Sequence, residues 1–430
     1  MIETLIGFSA LILLLLARVP LGFAMLLVGV IGTSVVRSPT AALMGASTTI
    51  FEIAISPSFV VLPLFMLMGA FVTQARLSDD LYDAAHAWLG HFKGGLAMST
   101  VAASGGFAAV SGNSVATVVT MAKVALPSMR RYKYGDSLAA GTIAAGGTLG
   151  ILIPPSNALI IYGLLTESDV GKLFIAGIIP GLVTILLYIG VVQVVVTVKP
   201  QLGPRADRSS WSRRVRTLGS IWGVLALFLG IMFGISLGIF TPTEAGAAGA
   251  LGALLFAIGR RRMSWRGLYR SLFDAGKTTA MLFTVIFGAL VLNQFVVLTG
   301  VGNTLSEFVT SLDAGPTVSI FAILGILIIL GMFIEGLAMI LLVVPIFVPI
   351  VDAMGIDLIW FGIFLVIAVE MSLVTPPIGI NDFILKSMLK DVELSTIFAG
   401  IAPFFAADVL RLILLIMFPA LALWLPSLLS

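Results

Sequence analysis

Twice in this 430-residue chain a Pro-Pro step interrupts a stretch apolar enough to cross a membrane. The first lies in Gly147–Ser156 (GTLGILIPPS) and the second in Val369–Ile378 (VEMSLVTPPI). Proline lacks a backbone N–H and clashes with the preceding turn, so a helix must open at each step. Hydrocarbon tolerates opened backbone only where it is buried in protein or lines a polar cavity. Matched breaks in the two halves of a chain point to a secondary transporter with its site near the bilayer midplane.

Composition sets the solvent. The mean hydropathy is +1.14, and only 10% of residues are charged, against about 25% in a soluble domain. Leu173–Val198 exceeds the ~20 apolar residues that span hydrocarbon, and the whole length has room for about ten or more such spans. The net charge of +3 sits in short loops and is no nucleic-acid signature. With no cysteine there is neither a disulfide nor a thiolate metal site. The N-terminus lacks a basic leader and a small-residue cleavage site, so it reads as a retained first span.

The two halves match in order. Gly69 and Gln74 pair with Gly288 and Gln294, Pro127 with Pro349, Pro154-Pro155 with Pro376-Pro377, and Phe174–Pro180 with Ile397–Pro403. The offsets stay between 219 and 223. The basic segments Met129–Lys133, Lys199–Arg216 and Arg260–Arg270 should all be cytoplasmic. Counting spans outward from them starts the first repeat outside and the second inside, and leaves both termini outside. The fold class expected is therefore an all-α polytopic membrane protein of inverted repeats, each with a re-entrant hairpin and a broken helix.

Four regions follow. Residues 1–60 are N-terminal scaffold spans. Residues 61–198 are the first repeat, with a hairpin at 94–126 and a broken helix at 138–166. Residues 199–275 hold basic loops and two scaffold spans, near Leu218–Leu237 and Ala245–Ile258. Residues 276–430 are the second repeat, with a hairpin at 316–351 and a broken helix at 358–389. Ser78–Phe92 and Thr304–Leu312 are amphipathic and should lie along the interface.

A hairpin tip meeting a broken helix offers free N–H groups to a carboxylate and free carbonyls to a hard cation. Ser111, Asn113, Ser114, Thr148, Ser156 and Thr375 supply further oxygens suited to sodium. Glycines 112, 146, 147, 150, 336 and 379 permit close approach, although glycine in membrane helices commonly serves packing alone. The substrate-facing candidates are Ser111, Asn113, Ser114, Ser156, Asn157 and Glu335. Charges at membrane depth are costly and mark function or pairing. These are Glu335, Glu370 and Asp382, with Asp382 alternatively facing Lys386 at the cytoplasmic end. Lys123 is expected to snorkel to the inner surface. Glu244 reads as a helix N-cap, and Arg411 as a partner of Asp408 anchoring a subunit contact. His86 and His91 have no metal spacing, and no nucleophile elbow, P-loop or metal cluster marks an enzyme.

At Ser111–Glu167, FTPTEAGAAGA and VTPPIGIND the chain resembles the large membrane subunit of tripartite ATP-independent periplasmic (TRAP) transporters, and the likeness runs over essentially all of it. The resemblance implies a bacterial inner-membrane sodium symporter working as an elevator, and the span counting above puts both termini on its periplasmic side. It implies a separate small four-span membrane subunit, a periplasmic binding protein, and an organic acid such as a C4-dicarboxylate or sialic acid as cargo. The family's sodium sites map onto Ser111, Ser114, Gly147, Gly150 and Pro154 in one half, and Gly336, Thr375 and Pro376 in the other, largely through backbone carbonyls. Asn113 departs from the Ser or Gly usual at its place. A self-sufficient sodium/anion symporter of related architecture is the alternative, and would need no binding protein.

Overall fold

The computed structural model describes residues 2–300, 315–332, 334, 336–375 and 379–429, and every regular element among them is helical. Seven helices are long and apolar enough to span, or up to eight if a bent pair counts as one. Among the shorter apolar helices are Gly95–Ser111, an arm of the first hairpin, and Leu358–Ser372, the first piece of the second broken helix, neither of which need cross the whole bilayer. Large apolar side chains stay exposed along the outer helices, as with Val35 at 75% and Leu186 at 68%, which suits a lipid solvent.

Local chemistry sets the breaks. The first hairpin runs up Gly95–Ser111 and back down Ser114–Arg131. Gly112 takes the left-handed conformation (φ 58°) that ends the first arm. Asn113 then caps the second arm, accepting the Ala116 N–H at 3.0 Å. The first broken helix consists of Asp136–Leu152 and Asn157–Thr166, with Ser156 capping the second piece. The second half of the chain repeats the order: a hairpin of Pro316–Gly331 and Gly336–Ala353, then Leu358–Ser372 and Ile380–Met388. Each repeat closes on a long helix, Val170–Val198 or Leu394–Met417.

The repeats interlock. Gly336–Ala353 of the second hairpin packs on Asn157–Thr166 of the first broken helix, and Ile380–Met388 of the second packs on Ser114–Arg131 of the first hairpin. Asp136–Leu152 crosses Leu394–Met417 backbone to backbone, because a Cβ on Gly141 would strike Gly400 O. Small residues at such crossings replace the hydrophobic drive that lipid cannot supply. A second group packs together beside this core: Leu21–Val36, Val61–Gln74, Pro242–Gly259 and Trp265–Leu298.

Several expectations change. The segment Lys199–Arg216 is not all loop, since Trp211–Ser220 is a helix meeting Trp222–Ser236 at 44°. Its Arg214 is buried, with its guanidinium 5.8 Å from the Trp88 ring centre and 5.3 Å from that of Trp211. Arg266 and Arg270 belong to the continuous helix Trp265–Leu298. Glu244 is not the N-cap. Thr241 holds that place, and Glu244 closes a capping box by accepting the Thr241 N–H at 2.8 Å. The stretch Thr304–Leu312 lies outside the described residues.

Candidate functional site

The first hairpin tip rests directly on the first break, and two glycines allow it. A Cβ on Gly112 would lie 2.7 Å from Pro155 O, and one on Gly150 would lie 2.6 Å from Asn113 O. Nothing larger fits either place without moving backbone. Asn157 Nδ2 donates to Gly112 O at 3.3 Å, tying break to tip. Ser111 Oγ and Thr117 Oγ1 stand 3.3 Å apart, and Thr117 Oγ1 donates to Asn113 O at 2.8 Å. Carbonyls of Gly112, Asn113 and Pro155 thus gather with two hydroxyls. A hydroxyl that donates its proton to a carbonyl still has lone pairs for a cation. Such an oxygen-rich, nearly chargeless nest suits a hard monovalent ion.

Other candidates are placed elsewhere. Ser114 reaches the opposite repeat, where Asn381 Nδ2 donates to its Oγ at 2.9 Å. Gly147 faces Val118 and Gly146 faces Ser104, both packing contacts. Ser156 Oγ caps the Leu159 N–H at 3.4 Å and also donates to Ile151 O. Pro154 stands in the break itself, with Gly177 packed against its ring. In the second break Thr375 Oγ1 donates to Met371 O at 2.6 Å, and Thr375 O accepts the Gly379 N–H at 3.1 Å. Gly336 packs close on Val369 and Leu373. Glu335 and Pro376 lie outside the described residues.

A cavity of about 560 Å³ lies against the first tip. Ser111, Asn113 and Asn157 form one wall, and the helices Val61–Gln74 and Trp265–Leu298 form the other. Arg76, Lys123 and Arg270 also line it, with Asp274 as the lining carboxylate, 3.7 Å from Arg270. Lys123 therefore faces a polar cavity at the hairpin. Arg76 and Arg270 escape sequence reasoning because they belong to segments far from either break, and folding alone brings them there.

Behind the breaks lies a fully buried charge network. Arg411 Nη2 is 2.9 Å from Glu370 Oε2 and 3.0 Å from Asp408 Oδ1, while its Nη1 donates to Thr184 Oγ1 at 2.6 Å. The Tyr188 hydroxyl donates to Asp408 at 2.8 Å and stands 3.3 Å from Thr148 Oγ1. Thr148 is thus engaged here, away from the tip. Arg411, at 2% exposure, cannot anchor a subunit contact. It joins the second broken helix to both long helices. Asp382 is also fully buried, and Lys386 does not face it. The Lys386 ammonium instead donates to Val392 O at 2.6 Å.

Beyond the second broken helix Arg130 Nη2 donates to Asp391 at 2.7 Å, and that bond holds the Asp391 carboxyl below its ordinary range.

Interlocked hairpins and broken helices around a polar cavity define a membrane transporter. The family model of the DctM component of tripartite ATP-independent periplasmic transporters matches residues 8–421, and the chain belongs to that family. It is 36% identical over 381 residues to the C4-dicarboxylate TRAP transporter large permease protein of Pseudomonas aeruginosa, covering 88% of each chain. With the ectoine TRAP transporter large permease protein of Halomonas elongata it shares 32% identity, covering 86% of each. Among solved structures the Alcanivorax borkumensis YdaH transporter has a like fold, with a TM-score of 0.65 over 89% of each chain at 15% identity.

Proposed function

We propose that this large permease carries an organic acid inward with sodium, and that its hairpins and broken helices slide as one unit against the remaining helices. The observation that carries the reading is the first tip. There an oxygen nest suited to a cation borders a cavity whose wall bears more cations than carboxylates. Sodium in the nest would fix the tip, and the fixed tip would present Asn113 and Asn157 to a carboxylate. The relatives named for a C4-dicarboxylate and for ectoine both handle molecules bearing carboxylate, which supports that class of cargo. The cavity borders the basic segments, so the arrangement reads as open to the cytoplasm. A periplasmic binding protein delivers the cargo, a small four-span subunit widens the scaffold, and the assembly sits in a bacterial inner membrane with the termini of this chain in the periplasm.

The test is uptake into proteoliposomes holding this chain and the small subunit, with the binding protein outside. Uptake should need a sodium gradient and the binding protein. Equal uptake on a proton gradient without sodium would sink the sodium reading. Equal uptake without the binding protein would favour a self-sufficient symporter.

Lys123→Gln should lower uptake about tenfold or more, because a charge-assisted hydrogen bond is worth about 1.5–3 kcal/mol and about 1.4 kcal/mol is tenfold. Unchanged uptake would remove Lys123 from the substrate path.

Sliding has its own test in this cysteine-free chain. Ala116 and Ser271 line the cavity from its two walls. A cysteine pair at those positions should cross-link and stop uptake until reduced. Normal uptake by the cross-linked protein would rule out relative movement of the walls.

A further inference from the structure

Asp382 stands at the third position of the short helix Ile380–Met388 with no exposed surface. Among the described residues neither of its carboxylate oxygens has a hydrogen-bond partner. A carboxylate near a helix N-terminus is ordinarily held by free amide N–H groups. Here the amides of Gly379, Asn381 and Asp382 already donate to Thr375 O, Leu373 O and Gly379 O. The two prolines before them have no N–H to offer.

Charges on the helices packed against it are engaged elsewhere. On Ser114–Arg131, Arg130 pairs with Asp391 and Asp136, while Lys123 and Arg131 line separate cavities. On Asp136–Leu152 the only charged group is Asp136 itself, half-exposed beside Arg130. On Leu394–Met417, Arg411 serves Glu370 and Asp408. Lys386, on the same short helix, donates to the carbonyls of Lys390 and Val392. Among the described residues no group of three or more His, Cys, Asp or Glu stands together to hold a metal ion. A buried ionised carboxylate with no partner neutralises itself instead.

We infer that Asp382 is a proton site. In the arrangement described its carboxyl is the neutral acid. Asn381, next in the chain, bonds Ser114 of the first hairpin, so a local opening of that one contact, inside the unit that slides, would let water reach Asp382. The carboxyl O–H bond then breaks, the proton passes to water, and the carboxylate remains in a hydrated break. On the transport reading proposed above, Asp382 takes a proton from outside water when the unit faces outward and releases it inside, one per cycle, in addition to sodium.

Two measurements test this separately from that reading. Infrared difference spectra of the purified protein in lipid, wild type against D382N at neutral pH, should contain the carbonyl stretch of a protonated carboxylic acid. Its absence would mean that Asp382 is ionised and would overturn the proposal. Proteoliposomes with an internal pH dye should acidify during sodium-driven uptake, and D382N should lose the acidification while keeping sodium-dependent uptake. Uptake by the wild type without acidification, or acidification that D382N leaves intact, would overturn release. If no sodium-driven uptake occurs at all, the transport reading fails and the infrared band alone decides the proton site. Should D382N not accumulate, D382S replaces it in both measurements.

Discussion

Replacing Arg411 with alanine is expected to cost about 3–5 kcal/mol of stability, the range seen when one partner of a buried ion pair is removed. The guanidinium serves Glu370, Asp408 and Thr184 together, all buried. Its loss leaves two carboxylates facing each other in the membrane interior with only Tyr188 as a donor to Asp408. Arg411→Lys keeps the charge but offers one nitrogen for contacts that now use two, so an intermediate loss is expected. Glu370→Gln should behave differently. The cluster holds one more carboxylate than guanidinium, so an isosteric neutral amide relieves the excess and should cost only about 1 kcal/mol, the order of one net hydrogen bond. Melting of the three variants in one lipid or detergent decides it. Wild-type stability for R411A would show that the network does not hold the helices together, and a loss for E370Q as large as for R411A would show that the cluster carries no excess charge to relieve.

The difference between Arg411 and the hairpin tips shows what a sequence makes legible in a membrane protein. A Pro-Pro step or a Gly-Asn turn acts on its own backbone, so the breaks at Pro154 and the tip at Gly112 can be read from neighbouring residues alone. The pairing of Asp408 with Arg411 is likewise local, since both lie three residues apart on one helix. Glu370 and Tyr188 join that pair only through packing of separate helices, and nothing in their own neighbourhoods announces it. For the same reason the reading of Arg411 as an exposed anchor failed: charge alone does not say whether a helix face meets lipid or protein. The tie from Ser114 to Asn381 and the cations Arg76 and Arg270 on the cavity wall are likewise products of the assembled fold. Length and hydropathy alone do not separate hairpin arms from spans: Gly336–Ala353, an arm of the second hairpin, is as long as Pro242–Gly259 and more apolar.

Gly112→Ala should raise the sodium needed for uptake about tenfold or more, or abolish uptake, while leaving the protein folded. Gly112 sits at φ 58°, a left-handed conformation that costs a residue with a Cβ about 1–2 kcal/mol. The new Cβ would also stand 2.7 Å from Pro155 O, inside any tolerated contact, and backbone cannot rotate away as a side chain can. The turn must therefore retreat from the break by several tenths of an ångström, taking with it the carbonyls of Gly112 and Asn113. Folding survives, since the cost is small beside the packing of two whole repeats. An ion nest does not survive as easily, because hard-cation affinity depends on oxygens held at fixed short range. The expected result is a half-saturating sodium concentration raised about tenfold or more, equivalent to about 1.4 kcal/mol of lost binding, or no measurable uptake. Melting should shift only by what a strain of about 1–2 kcal/mol produces. Gly190→Ala is the control, because a Cβ there meets nothing within 4 Å, and it should transport normally. If Gly112→Ala shared the sodium response of that control, the meeting of tip and break would not be where sodium binds, and the cation would have to be sought at the second break.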